Sequence, residues 1–135
     1  MATDTSSSQT ALRTPLGRVR GLGSAKSGTH HWWMQRVTSI ALLPLTIWFV
    51  LSMIGLAGAS YLETLIWIAT PVNAVLLVAL LLLTFHHMAN GIQVVVEDYV
   101  RNEMQRIIVM LIVKGACALL ALAGVFSVLR IAFAL

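Results

Sequence analysis

Two adjacent histidines, His86 and His87, lie deep inside a long apolar run, and polar residues follow them at helical spacing. His86, Asn90, Gln93 and Glu97 recur at four, three and four residues, which is one face of a helix. His87, Gly91 and Asp98 recur at four and seven on a second face, rotated by about 100°. His87 stands ten residues before Glu97. That is about 15 Å of helix, which reaches towards the middle of a bilayer. Ionisable side chains at that depth are costly, so they serve a function or face protein. A neutral imidazole there suits haem iron. Gly91, one turn beyond His87, removes a side chain where a flat macrocycle would press on the helix. On these grounds His87 is the better ligand candidate, and His86 a hydrogen-bonding member of the polar face. A pair of core histidines bonded to neighbouring helices explains the same residues nearly as well.

Asp98 and Tyr99 fall where this helix meets the headgroups. A phenol there can donate a hydrogen bond to a quinone carbonyl, and a carboxylate beside it can hold a water or pass a proton. On the residues alone an ordinary interfacial tyrosine is the favoured reading. Arg36, one residue before the first apolar span, can pair with a haem propionate or with the acidic turn, or simply supply positive charge at the membrane surface.

These residues need membrane helices to hold them. The 135-residue chain is 59% hydrophobic and 10% charged, against about 25% charged in a soluble domain. It cannot cover a water-facing surface. The composition predicts an all-α, integral membrane bundle of three transmembrane helices, with spans at about 37–57, 71–96 and 107–131. Together these form a membrane domain over 29–135, preceded by a basic flexible tail at 1–28 with no signal-peptide core. Pro44 should kink the first span or free a carbonyl, while Pro71 suits the first turn of the second helix. The linker at 58–70 carries Glu63 but no Lys or Arg. In the third span Lys114 can snorkel to the near interface, small residues such as Ala121 and Gly124 permit close helix packing, and Cys117 reads as a small buried hydrophobe.

The net charge is +4, and Arg13, Arg18, Arg20, Lys26 and Arg36 all precede the first span. Beside a membrane span this cluster sets topology and does not mark a nucleic-acid partner. The positive-inside rule puts the N-terminus and the 97–106 turn in the cytoplasm and the C-terminus in the periplasm, with Arg130 against it. His30 and His31 sit before the first span, so no second buried histidine lies on another helix of this chain. A six-coordinate haem would take its other ligand from a different subunit.

The pattern His87-x-x-x-Gly91-x-x-x-x-x-x-Asp98-Tyr99 resembles the signature of the smaller hydrophobic membrane-anchor subunit of succinate dehydrogenase. The run from Gly21 to Trp33, followed by Gln35-Arg36-Val37-Thr38-Ser39, is similar to the start of bacterial members. The resemblance covers the chain from about Gly21. It implies half of a two-subunit haem-b anchor in a bacterial inner membrane, docked to a flavoprotein and an iron–sulfur subunit. It implies that His87, selected over His86 by the glycine and Asp-Tyr spacings, is an axial ligand of haem b. The other ligand would come from the larger cytochrome b anchor subunit. Tyr99 would hydrogen-bond ubiquinone with Asp98 close by, and Arg36 and His30 would lie near the haem propionates and the quinone. The isolated chain would be non-catalytic, passing electrons from succinate to quinone only within the complex. The rival readings are an anchor of fumarate reductase or of another haem-b quinone oxidoreductase, and, in a different class, a small helical transporter or assembly subunit.

Overall fold

A computed structural model describes residues 27–134 together with Leu16. The tail expected at 1–28 therefore lies, apart from Leu16, Ser27 and Gly28, outside the described residues. Contacts divide the chain into Met1–His30 and His31–Leu135, and the helical bundle belongs to the second unit. Among the described residues every regular element is an α-helix: α1 (Ser27–Gly55), α2 (Tyr61–Ala69), α3 (Pro71–Tyr99) and α4 (Glu103–Ala134).

Three of these, over Gly28–Gly55, Pro71–Tyr99 and Glu103–Ala134, are long and apolar enough to cross a membrane. Helices of 29 to 32 residues reach roughly 44–48 Å, more than the ~30 Å hydrocarbon core. Their ends therefore extend past the apolar spans, into the headgroups. Pro44 lies within α1. It supplies no N–H to the carbonyl of Ile40, four residues earlier.

Local chemistry explains the boundaries. α1 ends at Gly55, and Gly58 then adopts φ +88°, a left-handed conformation that glycine takes at no steric cost. Ser60 opens α2 with a reciprocal cap. Its Oγ accepts from the Glu63 backbone N–H at 3.3 Å, and the Glu63 carboxylate accepts from the Ser60 backbone N–H at 2.7 Å. The Ser60 hydroxyl also donates to that carboxylate at 2.8 Å. These bonds, the backbone one foremost, hold the Glu63 carboxyl below its ordinary pKa. The short α2 replaces what the sequence offered only as a linker. Thr70 both ends α2 and starts α3, Pro71 takes the first turn of α3, and the Asn73 amide donates back to the Trp67 carbonyl at 2.8 Å. At the other end of α3, Val100 leaves the helix in an extended conformation. Asn102 Oδ1 then accepts from the Gln105 N–H at 3.2 Å, capping α4.

The buried core is small and lies at the α2 end. Ala74, Leu77 and Val128 pack with Trp48, Phe49, Trp67 and Leu81. Trp48 of α1 stacks on Trp67 of α2, 5.7 Å between centroids. The inner face of α4 is made of small residues: Cys117, Ala121 and Val128 are buried, and a side chain at Gly124 would meet Leu81 of α3. Cys117 is the buried small hydrophobe its surroundings predicted. Arg130 stands beside Tyr61 and Leu65 of α2, at the end of the bundle rather than its middle. Most large apolar side chains point outwards, among them Ile40, Leu111 and Leu119. Their covering must come from lipid or from other subunits.

Candidate functional site

α3 turns its two histidines to different surroundings. His87 is half-buried against α1. Its Nδ1 lies 3.0 Å from Thr38 Oγ1 and its Nε2 lies 3.3 Å from the Gln35 amide nitrogen. Thr38 is 2% exposed, the most buried side chain described. Its hydroxyl has one proton to give. The Met34 carbonyl stands 2.8 Å away, a back-bond of one helical turn, with the Gln35 carbonyl further off at 3.2 Å. A 2.8 Å oxygen–oxygen contact needs that proton between the two atoms, so the hydroxyl donates to Met34 and accepts from the imidazole. The tautomer with its proton on Nδ1 and its lone pair on Nε2, towards the Gln35 amide nitrogen, satisfies these contacts.

His86, by contrast, is exposed and accepts from the Asn90 amide at 3.0 Å. One turn further, the Gln93 amide donates to the Glu97 carboxylate at 2.7 Å. The face of His86, Asn90, Gln93 and Glu97 is therefore a real polar seam, closed on itself in pairs. His86 and Asn90 line a groove of about 670 Å³ together with Met34, Lys114 and Cys117. Lys114 also lines a second groove with Glu97 and Arg106, so its side chain stands between the histidine level and the acidic turn.

The remaining candidates lie on α1 and α3. Gly91 faces α1, where a Cβ would come within 3.5 Å of the Gln35 amide nitrogen. Asp98 and Tyr99 close α3 and are exposed, Tyr99 by 82%. They follow His87 by about three helical turns, ~17 Å along the axis. Arg36 is exposed and stacks over the Trp32 ring, 5.4 Å from its centroid. His30 is exposed in the first turns of α1. The structure thus brings His87 together with α1 and leaves Asp98, Tyr99, Arg36 and His30 at accessible positions. Sequence reasoning overlooked Gln35 and Thr38 as neighbours of His87. Their signal was the spacing of three that sets two polar residues on one face at the start of an apolar span.

The family model that describes succinate dehydrogenase and fumarate reductase transmembrane subunits matches residues 10–123. That match includes α1, α2, α3 and most of α4. The chain belongs to this family. Among curated relatives, the succinate dehydrogenase hydrophobic membrane anchor subunit of Rickettsia bellii is 31% identical over 76% of this chain and 82% of its own length. The subunit of the same name from Rickettsia conorii is 30% identical over 86% of this chain and 93% of its own. That of Paracoccus denitrificans is 27% identical over 87% and 90%. No solved structure matches the chain. As in an anchor family, the transmembrane subunit described here carries its polar chemistry on helices that cross the membrane, in a multi-pass chain.

Among the described residues, no three His, Cys, Asp or Glu side chains converge to hold a bare metal ion. One inward imidazole with a lone pair on Nε2 is a different donor set. It suits an iron that already has four macrocycle nitrogens and needs one axial ligand from this chain. Gln35 caps Nε2 only at 3.3 Å, and its own Oε1 is buried without a partner. That amide is held by few bonds and can turn aside. The residues present fit a haem shared with another subunit.

Proposed function

We propose that this chain is the smaller hydrophobic anchor subunit of a succinate dehydrogenase and that His87 gives one axial ligand to a b-type haem. The observation that carries this reading is the inward His87, with Nδ1 3.0 Å from the Thr38 hydroxyl and Nε2 3.3 Å from an amide whose oxygen has no partner. The second axial ligand belongs to a larger cytochrome b anchor subunit, which would cover part of the apolar surface left open here. A flavoprotein and an iron–sulfur protein complete the complex on the cytoplasmic face. The haem, when bound, supplies a one-electron redox centre at bilayer depth.

Tyr99 and Asp98 form one wall of a ubiquinone site. The Tyr99 phenol donates a hydrogen bond to a quinone carbonyl, which raises the carbonyl's electron affinity and fixes the ring. Reduction to quinol takes up two electrons and two protons. Asp98, adjacent at the membrane surface, is placed to pass a proton. Arg36 supplies positive charge near the propionates and the quinone, with His30 at the same end of α1. The chain lies in a bacterial inner membrane with its N-terminus cytoplasmic and its C-terminus periplasmic, and it links succinate oxidation in the tricarboxylic acid cycle to the respiratory chain. The names of the relatives favour succinate oxidation over fumarate reduction.

The decisive experiment is a haem spectrum on the purified complex. His87→Ala should abolish the low-spin b-haem signal and His86→Ala should keep it, because His86 spends its Nε2 on Asn90. An unchanged bis-histidine spectrum in His87→Ala would refute the assignment.

A further inference from the structure

We infer that Thr38 is a positioning residue for the haem ligand: its hydroxyl accepts the Nδ1 proton of His87 and so fixes both the tautomer and the rotation of the ring. This rests on the reading of His87 as an axial ligand and deepens it.

Three observations converge. Thr38 is the most thoroughly buried side chain described, at 2% exposure, yet it is polar. A buried hydroxyl is tolerated when its hydrogen-bonding capacity is used. Its proton is committed to Met34 O at 2.8 Å, which leaves its lone pairs for a donor, and His87 Nδ1 stands 3.0 Å away. The relay runs in one direction, from imidazole N–H to hydroxyl to backbone carbonyl. The backbone of α1 is the fixed end of that relay, so α1 aims a ligand carried by α3, 49 residues later.

Chemically, the relay does two things. It keeps the proton off Nε2, the nitrogen that must offer its lone pair to iron. It also shifts electron density towards the ring, since an N–H donated to an acceptor makes the opposite nitrogen more basic. A more basic ligand favours the ferric state and lowers the haem potential. The hydrogen bonds of that hydroxyl go to Met34, Gln35 and His87, although Thr38 also lines the groove that His86 and Asn90 share.

The test uses the assembled complex with Thr38→Val, which keeps the shape and removes the hydroxyl, and Thr38→Ser, which keeps the hydroxyl. In Thr38→Val, haem should be lost about ten- to a hundredfold more readily, the usual range for removing an outer partner of a metal ligand. The haem that remains should titrate at a more positive potential. Thr38→Ser should restore both the affinity and the potential. Unchanged affinity and potential in Thr38→Val would overturn the inference. So would equal defects in Val and Ser, or a Val complex that fails to assemble, since these would make Thr38 a packing residue. His87→Ala, measured in parallel, separates the two levels: if it retains haem the ligand assignment fails, whereas normal Thr38→Val behaviour beside a haem-free His87→Ala removes only the role of Thr38.

Discussion

The side-chain amide of Gln35 sits 3.3 Å from Nε2 of His87, and the same nitrogen is what a side chain at Gly91 would meet. One amide therefore stands where the proposed ligand and the glycine one turn beyond it both face α1. On the proposed reading, Gln35 occupies space beside the ligand and is not one of its required partners. Its Oε1 is buried without a partner, so the amide gains little by staying.

Gln35→Ala should therefore leave haem content unchanged and should stabilise neither form of His87 by more than a weak hydrogen bond, about 0.5–1.5 kcal/mol. The haem-to-flavin ratio of the purified complex checks this. A haem-free Gln35→Ala complex would mean that the amide helps to build the pocket.

Tyr99 is 82% exposed at the last position of α3, so its side chain is open to a ligand at that end of the helix. Tyr99→Phe should slow quinone reduction about three- to tenfold, the worth of one hydrogen bond. Succinate oxidation with an artificial acceptor that bypasses the quinone should be normal. Equal loss of both activities would point to assembly instead.

α4 packs closely on α3 at Gly124, where a Cβ would come within 3.1 Å of Leu81 Cδ1. Gly124→Val should lower the stability of the complex in detergent by about 1–3 kcal/mol through overpacking. Gly115, whose Cβ would meet nothing within 4 Å, is the comparison, and Gly115→Ala should leave the helix pair intact. Thermal unfolding of the two variants side by side measures the difference.

The cap of α2 should depend on pH. The folded-state pKa of Glu63 is lowered by the Ser60 backbone N–H and then by the Ser60 hydroxyl. Its contribution is present above the ordinary carboxylate value of 4.5 and is lost as pH falls through the lowered one. Protection of the amides at the start of α2, measured against their intrinsic exchange rates, should therefore fall in acid in the natural protein. In Glu63→Gln that acid-induced change should vanish, and persistence of the same pH profile would exclude the cap as its source.

Much of this protein was legible in its residues because the relevant forces are local. Long apolar runs dictate three helices of membrane-crossing length, Pro71 marks a helix start, and spacings of four, three and four place His86, Asn90, Gln93 and Glu97 on one face. The hydrogen bonds from Asn90 to His86 and from Gln93 to Glu97 follow from that spacing alone. The helix within 58–70 was not legible in that way, because a nine-residue helix is stabilised by its cap and by the stacking of Trp67 on Trp48 rather than by periodicity. The spacing to Gly91 favoured His87 over His86 as a ligand candidate, but it does not say what either ring meets. They differ by about 100° of rotation, and only the packing of α1 on α3 resolves it. That packing joins Thr38 to His87 across 49 residues of sequence, a contact no local pattern specifies. The sequence by itself determined the helices and the chemistry each carries. The tertiary structure decided which imidazole turns inwards and which hydroxyl holds it there, because a buried donor must find its acceptor on whichever helix packs against it.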